Sequence, residues 1–126
     1  MKDIILENFS RVSWGRKISL HIGDALEILQ QWNDEEFDLA FIDADKRRYS
    51  DYFKMVFPLI KPGGYIIADN TLWDGHVTES CEHSSQTRGI MDFNGMVAER
   101  PDAEVAMIPV RDGMTIIRKL PKQTLT

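Results

Sequence analysis

The sequence contains a single cysteine, Cys81. One cysteine cannot form a disulfide within the chain or a thiolate framework for a structural zinc site, so packing must stabilise the fold. The sequence also lacks the roughly 18-residue apolar run that a membrane span needs. Its amino end, MKDIILENFS, alternates charged and apolar residues, unlike a signal peptide. We therefore expect a cytoplasmic protein without a membrane segment.

Basic residues are in the minority, with 15 Lys and Arg against 20 Asp and Glu and a net charge of −5. Surfaces that bind nucleic acid usually carry a basic excess, so the composition disfavours a nucleic-acid partner without excluding a locally basic groove. No internal repeat, low-complexity segment or linker interrupts the 126 residues. This length is typical of one domain, and we expect a single domain over residues 1–126.

Three apolar segments, at 17–23, 37–43 and 64–69, predict β-strands. Apolar residues alternate in the first segment, whereas the other two are apolar on both faces, which is typical of parallel strands covered by helices. Between the last two strands, apolar residues at helical spacing predict an amphipathic helix over 49–60 that Pro58 should kink or shorten. These elements form a βαβ unit.

The remaining sequence predicts a long loop over 70–86, a helix over 86–100 and two strands at 103–109 and 114–119, joined by a turn at Arg111-Asp112-Gly113. The element order is then α-β-α-β-α-β-loop-α-β-β. This order predicts an α/β fold whose mostly parallel sheet ends in an antiparallel hairpin. Long loops in compact domains are often functional.

Polar residues close the two most apolar strands. Asp43 ends the strand at 37–43, and Asp69 and Asn70 follow the strand at 64–69. Ligands of open α/β sheets bind outside the carboxyl ends of the strands, where these side chains should lie side by side. Two carboxylates and a carboxamide suit a hard divalent cation. The alternative, that these residues only cap the following helix or loop, stays open at this point.

Lys46 lies three residues after Asp43, near the same edge of the sheet. It could act as a general base or neutralise an anion, although most lysines are simply solvated. A useful base would need a pKa lowered by a nearby cation or by burial.

The predicted loop contains four further candidates. Trp73 could cover a flat substrate ring, although a loop tryptophan more often packs into the core. His76, Cys81 and His83 could be a zinc or nucleophilic site, but no matching partner occurs elsewhere in the sequence, so we disfavour this reading.

Four segments together resemble the cation-dependent class I O-methyltransferases of the caffeoyl-CoA and catechol type. They are FIDADKRRY at 41–49, KPGGYIIADNTLWDGHV at 61–77, VRDGMTIIRK at 110–119 and GDALEIL at 23–29. Order and spacing match from about residue 5 to residue 120. The resemblance implies a Rossmann-like fold with strand order 3-2-1-4-5-7-6. It also implies methyl transfer from S-adenosylmethionine to a hydroxyl of a metal-chelated, catechol-like acceptor.

By this resemblance, Asp43, Asp69 and Asn70 would ligate Mg²⁺ or a similar ion, which would hold both oxygens of a vicinal hydroxyl pair. Asp43 and Lys46 would be the catalytic residues, with Lys46 helping to remove the hydroxyl proton. Such a cation lowers the pKa of a bound hydroxyl, so the chemistry agrees with the ligand set.

The resemblance also implies a cofactor site and a substrate contact. Gly23, Asp24 and Ala25 correspond to positions that line the adenine of S-adenosylmethionine, and Asp43 would contribute to the same site. Trp73 corresponds to the position that flanks the aromatic ring of the acceptor.

The sequence departs from this family at its amino end. The Gly-rich loop after the family's first strand and the acidic residue after its second are both absent, and no Gly-x-Gly occurs anywhere. We therefore expect the chain to be a carboxyl-terminal portion of a methyltransferase, with impaired transfer.

In the family's order, the missing strands lie between those at 17–23 and 37–43. Either the first of these shifts to pair with the second, or the exposed edge pairs with another copy, which predicts a homodimer or larger assembly.

Two alternatives to a small-molecule methyltransferase remain, namely a non-catalytic oligomerising remnant of the fold and a methyltransferase of hydroxylated uridine in tRNA. The acidic net charge favours small phenolic acceptors over tRNA. A receiver domain of similar size is disfavoured, because it needs an acidic pair after its first strand and only Asp24 follows here.

Overall fold

The computed structural model of the protein describes residues 1–72 and 84–121. Four helices and four strands lie in these ranges: α1 (Lys2–Ser10), α2 (Ala25–Leu29), β1 (Phe37–Ile42), α3 (Tyr49–Val56), β2 (Ile60–Asp69), α4 (Ser85–Ala98), β3 (Ala103–Ile108) and β4 (Met114–Lys119). Short 3₁₀ turns occur at Gly15–Lys17, Lys46–Arg48 and Phe57–Leu59. No helix in the described ranges is long and apolar enough to cross a membrane.

The strands form one sheet in the order β1-β2-β4-β3. β1 pairs with β2 in parallel, whereas the pairs β2-β4 and β3-β4 are antiparallel. The predicted α/β fold with a terminal antiparallel hairpin is therefore confirmed, although only one of the three strand pairs among the described residues is parallel, whereas we expected a mostly parallel sheet. Its order also agrees with the last four strands, 4-5-7-6, of the order that the family resemblance implies.

The hydrophobic core lies between one face of the sheet and the helices α3 and α4. Alternate strand residues face this core, because successive side chains of a strand point to opposite faces. The sheet contributes Ile42, Ile66, Ala68 and Ile117, and the helices contribute Tyr49, Phe53, Phe93 and Val97. Full burial of such a side chain contributes about 1.5–3 kcal/mol, so these residues hold the two helices on the sheet.

The opposite face of the sheet exposes large apolar side chains. Leu39 pairs with Tyr65 across the β1-β2 ladder, and the two side chains are 55% and 41% exposed. Phe41, two residues along β1, is also 55% exposed. β1 lies at an edge of the sheet, and no strand of the described residues pairs with its outer side. As far as residues 1–72 and 84–121 show, the sheet therefore has an uncovered apolar face that continues to an open edge.

The prediction of a strand at 17–23 is wrong. The chain forms a 3₁₀ turn at Gly15–Lys17, and residues 18–23 are irregular. Their alternating pattern needs a neighbouring strand that satisfies the backbone N–H and C=O groups. The segment does not shift to pair with β1, so the first of the two expected ways to close the sheet is not found.

The helix predicted over 49–60 is shorter than expected. The α-helix ends at Val56, Pro58 lies in the following 3₁₀ turn, and Ile60 already pairs with Phe37 at the start of β2. Proline lacks the N–H that would continue the helix, which explains the tighter turn. The later helix and hairpin strands agree with the structure to within two residues, but most of the predicted loop at 70–86 lies outside the described residues.

Helix α4 packs closely against the turn that contains Lys46. At Gly89 an added Cβ would overlap the Lys46 carbonyl oxygen and lie 2.6 Å from Arg47 Cα. At Gly95, two turns along the same helix, an added Cβ would meet no atom within 4 Å. The two glycines therefore differ in the space around them while sharing one helix.

We predict opposite effects of alanine at these two positions. Gly95→Ala should raise the free energy of unfolding by about 0.5–1 kcal/mol, because alanine is the better helix former. Gly89→Ala should lower it by about 1–3 kcal/mol, because overlap with the backbone outweighs the helix preference. Urea denaturation of both variants checks this, and similar stabilisation by both would show that α4 does not press on the turn.

Candidate functional site

Parallel pairing brings the predicted strand-end residues to one edge of the sheet. Ile42 of β1 pairs with Ala68 of β2, so Asp43 and Asp69 are the next residues on neighbouring strands. Asn70 follows with a φ of 62°, a left-handed conformation that asparagine tolerates better than most residues. The backbone thus turns sharply after β2, directly beside the end of β1.

The carboxylate of Asp112, which was not among the predicted site residues, orients the Asn70 side chain. The Asn70 side-chain nitrogen Nδ2 donates to Asp112 Oδ2 at 3.0 Å, and the Asn70 backbone N–H donates to Asp69 Oδ1 at 2.8 Å. Since Nδ2 is held by Asp112, the carbonyl oxygen Oδ1 is the atom of Asn70 suited to a cation. Sequence reasoning treated Asp112 only as a turn residue. Its acidic character in the turn between β3 and β4 was the available signal.

Backbone and hydroxyl contacts fix the segment after Asn70. The N–H groups of Thr71 and Leu72 donate to the carbonyl oxygens of Gly113 and Asp112, at 3.2 and 2.6 Å. The buried hydroxyls of Thr115 and Thr71 are 2.8 Å apart and hydrogen-bonded. These bonds hold the end of β2 against the β3-β4 turn, and they place Asp112 beside Asn70.

Lys46 is almost completely buried, at 9% exposure, and its ammonium has two partners. Nζ donates to Asp43 Oδ1 and to the Tyr49 hydroxyl, both at 2.9 Å. Burial lowers the pKa of Lys46, but the hydrogen bonds to Tyr49 and Asp43 outweigh it, so the pKa lies above its ordinary value. Lys46 is therefore charged in this structure, and the lowered pKa that a general base requires is not found.

Tyr49 connects this lysine to the end of β2. Its ring is fully buried, and its hydroxyl donates to the Asp69 carbonyl oxygen at 2.7 Å while it accepts from Lys46. Burial raises the pKa of Tyr49, so the hydroxyl keeps the proton that it donates. Sequence reasoning used Tyr49 only as an apolar position of α3 and missed this polar role.

The strand-end residues have the donor chemistry of a site for a hard cation. Asp43 is half-exposed, and Lys46 contacts only its Oδ1. The carboxylates of Asp43 and Asp69 together with Asn70 Oδ1 would provide three oxygens at one sheet edge, which fits Mg²⁺ with water or substrate completing the shell. In residues 1–72 and 84–121, no three His, Cys, Asp or Glu side chains lie close enough together to hold a metal ion. The two carboxylates therefore need the Asn70 carboxamide as the third ligand.

Three of the four predicted cofactor-binding residues line one groove. Gly23, Ala25 and Asp43 border an open groove of about 610 Å³ between the segment before α2 and β1. Trp32 and Phe41 add flat apolar walls. Asp43 thus borders the groove and also lies at the strand ends, beside Asp69 on the neighbouring strand.

Asp24, the fourth predicted cofactor residue, has a structural role here. Its Oδ1 accepts from the Leu26 backbone N–H at 2.9 Å and caps α2, while its Oδ2 accepts from Arg48 at 2.8 Å. The hydrogen bond from Arg48 holds the pKa of Asp24 below its ordinary value. Asp24 does not border the groove, and the capping alternative describes its contacts.

The four loop candidates Trp73, His76, Cys81 and His83 lie outside the described residues. The predicted substrate contact of Trp73 therefore stays a prediction.

Sequence comparison identifies close relatives of the whole chain. The model of the O-methyltransferase family matches residues 1–120. Caffeoyl-CoA O-methyltransferase of Petroselinum crispum is 35% identical over 129 aligned residues, which cover 94% of this chain and 54% of that protein. The chain thus spans about half the length of the curated relatives that it matches.

Solved structures similar to this chain are also O-methyltransferases. An O-methyltransferase from Bacillus cereus, in complex with SAH, superposes with a TM-score of 0.85 at 30% identity and covers 93% of this chain and 57% of that one. TomG from Streptomyces achromogenes, an O-methyltransferase of tomaymycin synthesis in complex with SAM, gives 0.84 at 26% identity, with 92% and 56% covered. Family match, fold and strand-end residues agree, and this chain belongs to the O-methyltransferase family.

Proposed function

We propose that this chain carries the cation and acceptor site of an S-adenosylmethionine-dependent O-methyltransferase. One observation carries the proposal: Asp43 ends β1 beside Asp69 and Asn70 at the end of β2, with a buried lysine bonded to Asp43. Three oxygen donors on adjacent strands suit a divalent cation, with Mg²⁺ the best fit. An acceptor with two neighbouring hydroxyls could then complete the coordination shell.

The proposed cofactor is S-adenosylmethionine, in the groove that Asp43 borders. Support comes from the family and from the solved O-methyltransferases in complex with SAM or SAH. The groove offers Gly23, where a missing side chain allows close approach, and the flat walls of Trp32 and Phe41. A methyl donor at Asp43 would lie next to an acceptor held at the ends of β1 and β2, and such positioning contributes much of the rate of a transfer reaction.

The proposed mechanism assigns each strand-end residue a distinct task. Asp43, Asp69 and Asn70 would hold the cation, which when bound supplies a lowered pKa to the acceptor hydroxyl. Lys46 Nζ is assigned a role in removing the hydroxyl proton. As the ammonium that its hydrogen bonds to Asp43 and Tyr49 favour, it would stabilise the negative charge on the acceptor oxygen, and it could take up the hydroxyl proton only after giving one of its own to solvent.

The proposed acceptor is a small phenolic compound with adjacent hydroxyl groups. The names of caffeoyl-CoA O-methyltransferase and tricin synthase relatives support phenolic chemistry. A tRNA acceptor is less favoured, because the net charge is −5 and phosphate contacts need a basic surface.

Cation binding tests the proposal directly. Mg²⁺ titration by calorimetry should show one site in the chain, and Asp69→Asn should weaken it by at least about tenfold, because a ligand charge is lost. The Asn70 backbone N–H can still bond to the asparagine oxygen, so the turn after β2 should persist.

Asp38→Asn is the matched control for this titration. Asp38 lies in the same sheet, near the start of β1, and is highly exposed beside Lys61. Its charge is as large as that of Asp69, but it lies at the opposite end of the strand. Equal weakening by both substitutions would indicate general attraction to an acidic surface and would contradict a site at the strand ends.

We also propose that the chain alone transfers methyl groups poorly. No strand in the part of the chain that the structure describes pairs with the outer side of β1, so the groove lies open along this edge. Calorimetry with SAH should therefore show weak binding, with Kd no tighter than about 1 mM, equivalent to about −4 kcal/mol. Micromolar binding, or methylation of catechol at an ordinary rate, would contradict this expectation. Cation binding without any transfer would favour the non-catalytic remnant.

Self-association through β1 is the proposed arrangement of the open edge. Unpaired apolar edges attract further strands, and a lysine on the edge opposes this. Leu39→Lys should weaken a homodimer by about tenfold or more, since a buried unpaired charge is costly. Val105→Lys is the matched control, because Val105 is an exposed apolar residue on β3, the opposite edge strand. Analytical ultracentrifugation checks both, and a monomeric parent chain would contradict the dimer.

A further inference from the structure

The Tyr49 hydroxyl is the meeting point of the two strand ends and the buried lysine. It donates to the Asp69 carbonyl oxygen at 2.7 Å, and the Ile42 carbonyl oxygen lies 3.3 Å away. It accepts from Lys46 Nζ at 2.9 Å. One hydroxyl thus contacts the last residue of β2, the last residue of β1 and the Lys46 ammonium that is bonded to Asp43.

The surroundings of this hydroxyl give it few alternatives. The Tyr49 ring is fully buried, with Phe93 packed edge-on at 5.5 Å and Tyr52 at 6.5 Å. A ring held on both sides fixes the direction of its hydroxyl. Lys46 is itself nearly buried, so its ammonium cannot exchange the Tyr49 partner for bulk water without moving its chain.

The hydroxyl also determines how Lys46 meets Asp43. With Tyr49 as one partner, Lys46 Nζ reaches only Oδ1 of Asp43. The second carboxylate oxygen is then available to a ligand on the exposed side of Asp43, which is half-exposed. An ammonium released from Tyr49 would be free to approach both oxygens, and the Asp69 carbonyl oxygen would lose its donor.

The geometry points to Tyr49 as a positioning residue of the candidate site, one that holds Lys46 on a single oxygen of Asp43 and fixes the end of β2 beside β1. This inference rests on the proposed function, since it deepens the cation site described above. The Tyr49 hydroxyl is bonded to Lys46 and to the backbone of Asp69, so it would act on the cation site through these two residues. Partners of this kind around metal ligands change affinity by about 10–100-fold when they are removed.

Tyr49→Phe isolates the hydroxyl, because the ring and its packing are kept. Mg²⁺ titration by calorimetry should show affinity about tenfold weaker than that of the parent chain. Lys46 gives a second readout, the ¹⁵Nζ ammonium signal in protein labelled at lysine. A buried ammonium that donates two hydrogen bonds exchanges its protons slowly with water and gives a sharp signal. Tyr49→Phe should broaden or abolish this signal. Lys46→Met identifies the signal by removing it.

Tyr52→Phe is the matched control. Tyr52 is buried on the same helix, one turn along, and its hydroxyl has no hydrogen-bond partner among the described residues. The same loss of one oxygen there should leave both Mg²⁺ affinity and the Lys46 signal unchanged.

Replacing the Tyr49 hydroxyl with an amino group, by incorporation of p-aminophenylalanine, is the rescue experiment. It should restore part of the Mg²⁺ affinity and part of the Lys46 signal, because an amino group also donates and accepts hydrogen bonds. This variant retains the test if Tyr49→Phe folds poorly in circular dichroism melts.

The outcomes separate this inference from the proposed function. If the parent chain binds Mg²⁺ and Tyr49→Phe changes neither the affinity nor the Lys46 signal, Tyr49 is not a positioning residue although the cation site stands. If the parent chain does not bind Mg²⁺, the proposed function fails. The lysine signal then decides on Tyr49 alone: loss in Tyr49→Phe but not in Tyr52→Phe supports the inference, and persistence overturns it.

Discussion

The parallel pairing of β1 with β2 is the constraint on which the site depends. Ile42 lies opposite Ala68, and this register alone makes Asp43 and Asp69 neighbours. A shift of one residue would turn every side chain of β1 to the other face and would take Ile42 out of the core. The same burial that fixes the core therefore fixes the separation of the two carboxylates, so the stability of the fold and the geometry of the site have one origin.

The strands β1 and β2 and the final hairpin could be predicted from the sequence because their patterns are satisfied locally or by adjacent elements. The apolar runs that end at Asp43 and Asp69 pair with each other as β1 and β2. The Arg111-Asp112-Gly113 turn brings β3 and β4 together as a hairpin. The segment at 18–23 has an equally regular pattern but forms no strand. Alternation shows which residues would share a face, and it does not supply the partner whose backbone completes the ladder.

The candidate site was predictable only where side chains follow directly from strand ends. Asp43, Asp69 and Asn70 needed no tertiary information beyond adjacent parallel strands. Asp112 and Tyr49 are 42 and 20 residues from their partners Asn70 and Asp69. Their roles arise from the return of β4 beside β2 and from the burial of α3. Tyr49 was hidden for a further reason, since a tyrosine at an apolar helical position satisfies the pattern with its ring while its hydroxyl remains unassigned.

The open face and edge of the sheet affect the two parts of the candidate site differently. Within residues 1–72 and 84–121, helices cover one face of the sheet, and Leu39, Phe41 and Tyr65 are exposed apolar residues on the other. The groove proposed for the cofactor lies against β1, whereas two of the three proposed cation ligands, Asp69 and Asn70, lie at the end of β2, where the hairpin and Thr71 support them. The cation end of the site is therefore held by contacts within the chain, and the groove end depends on whatever pairs with β1. Binding of the cation and binding of the cofactor should for this reason be separable properties of this chain.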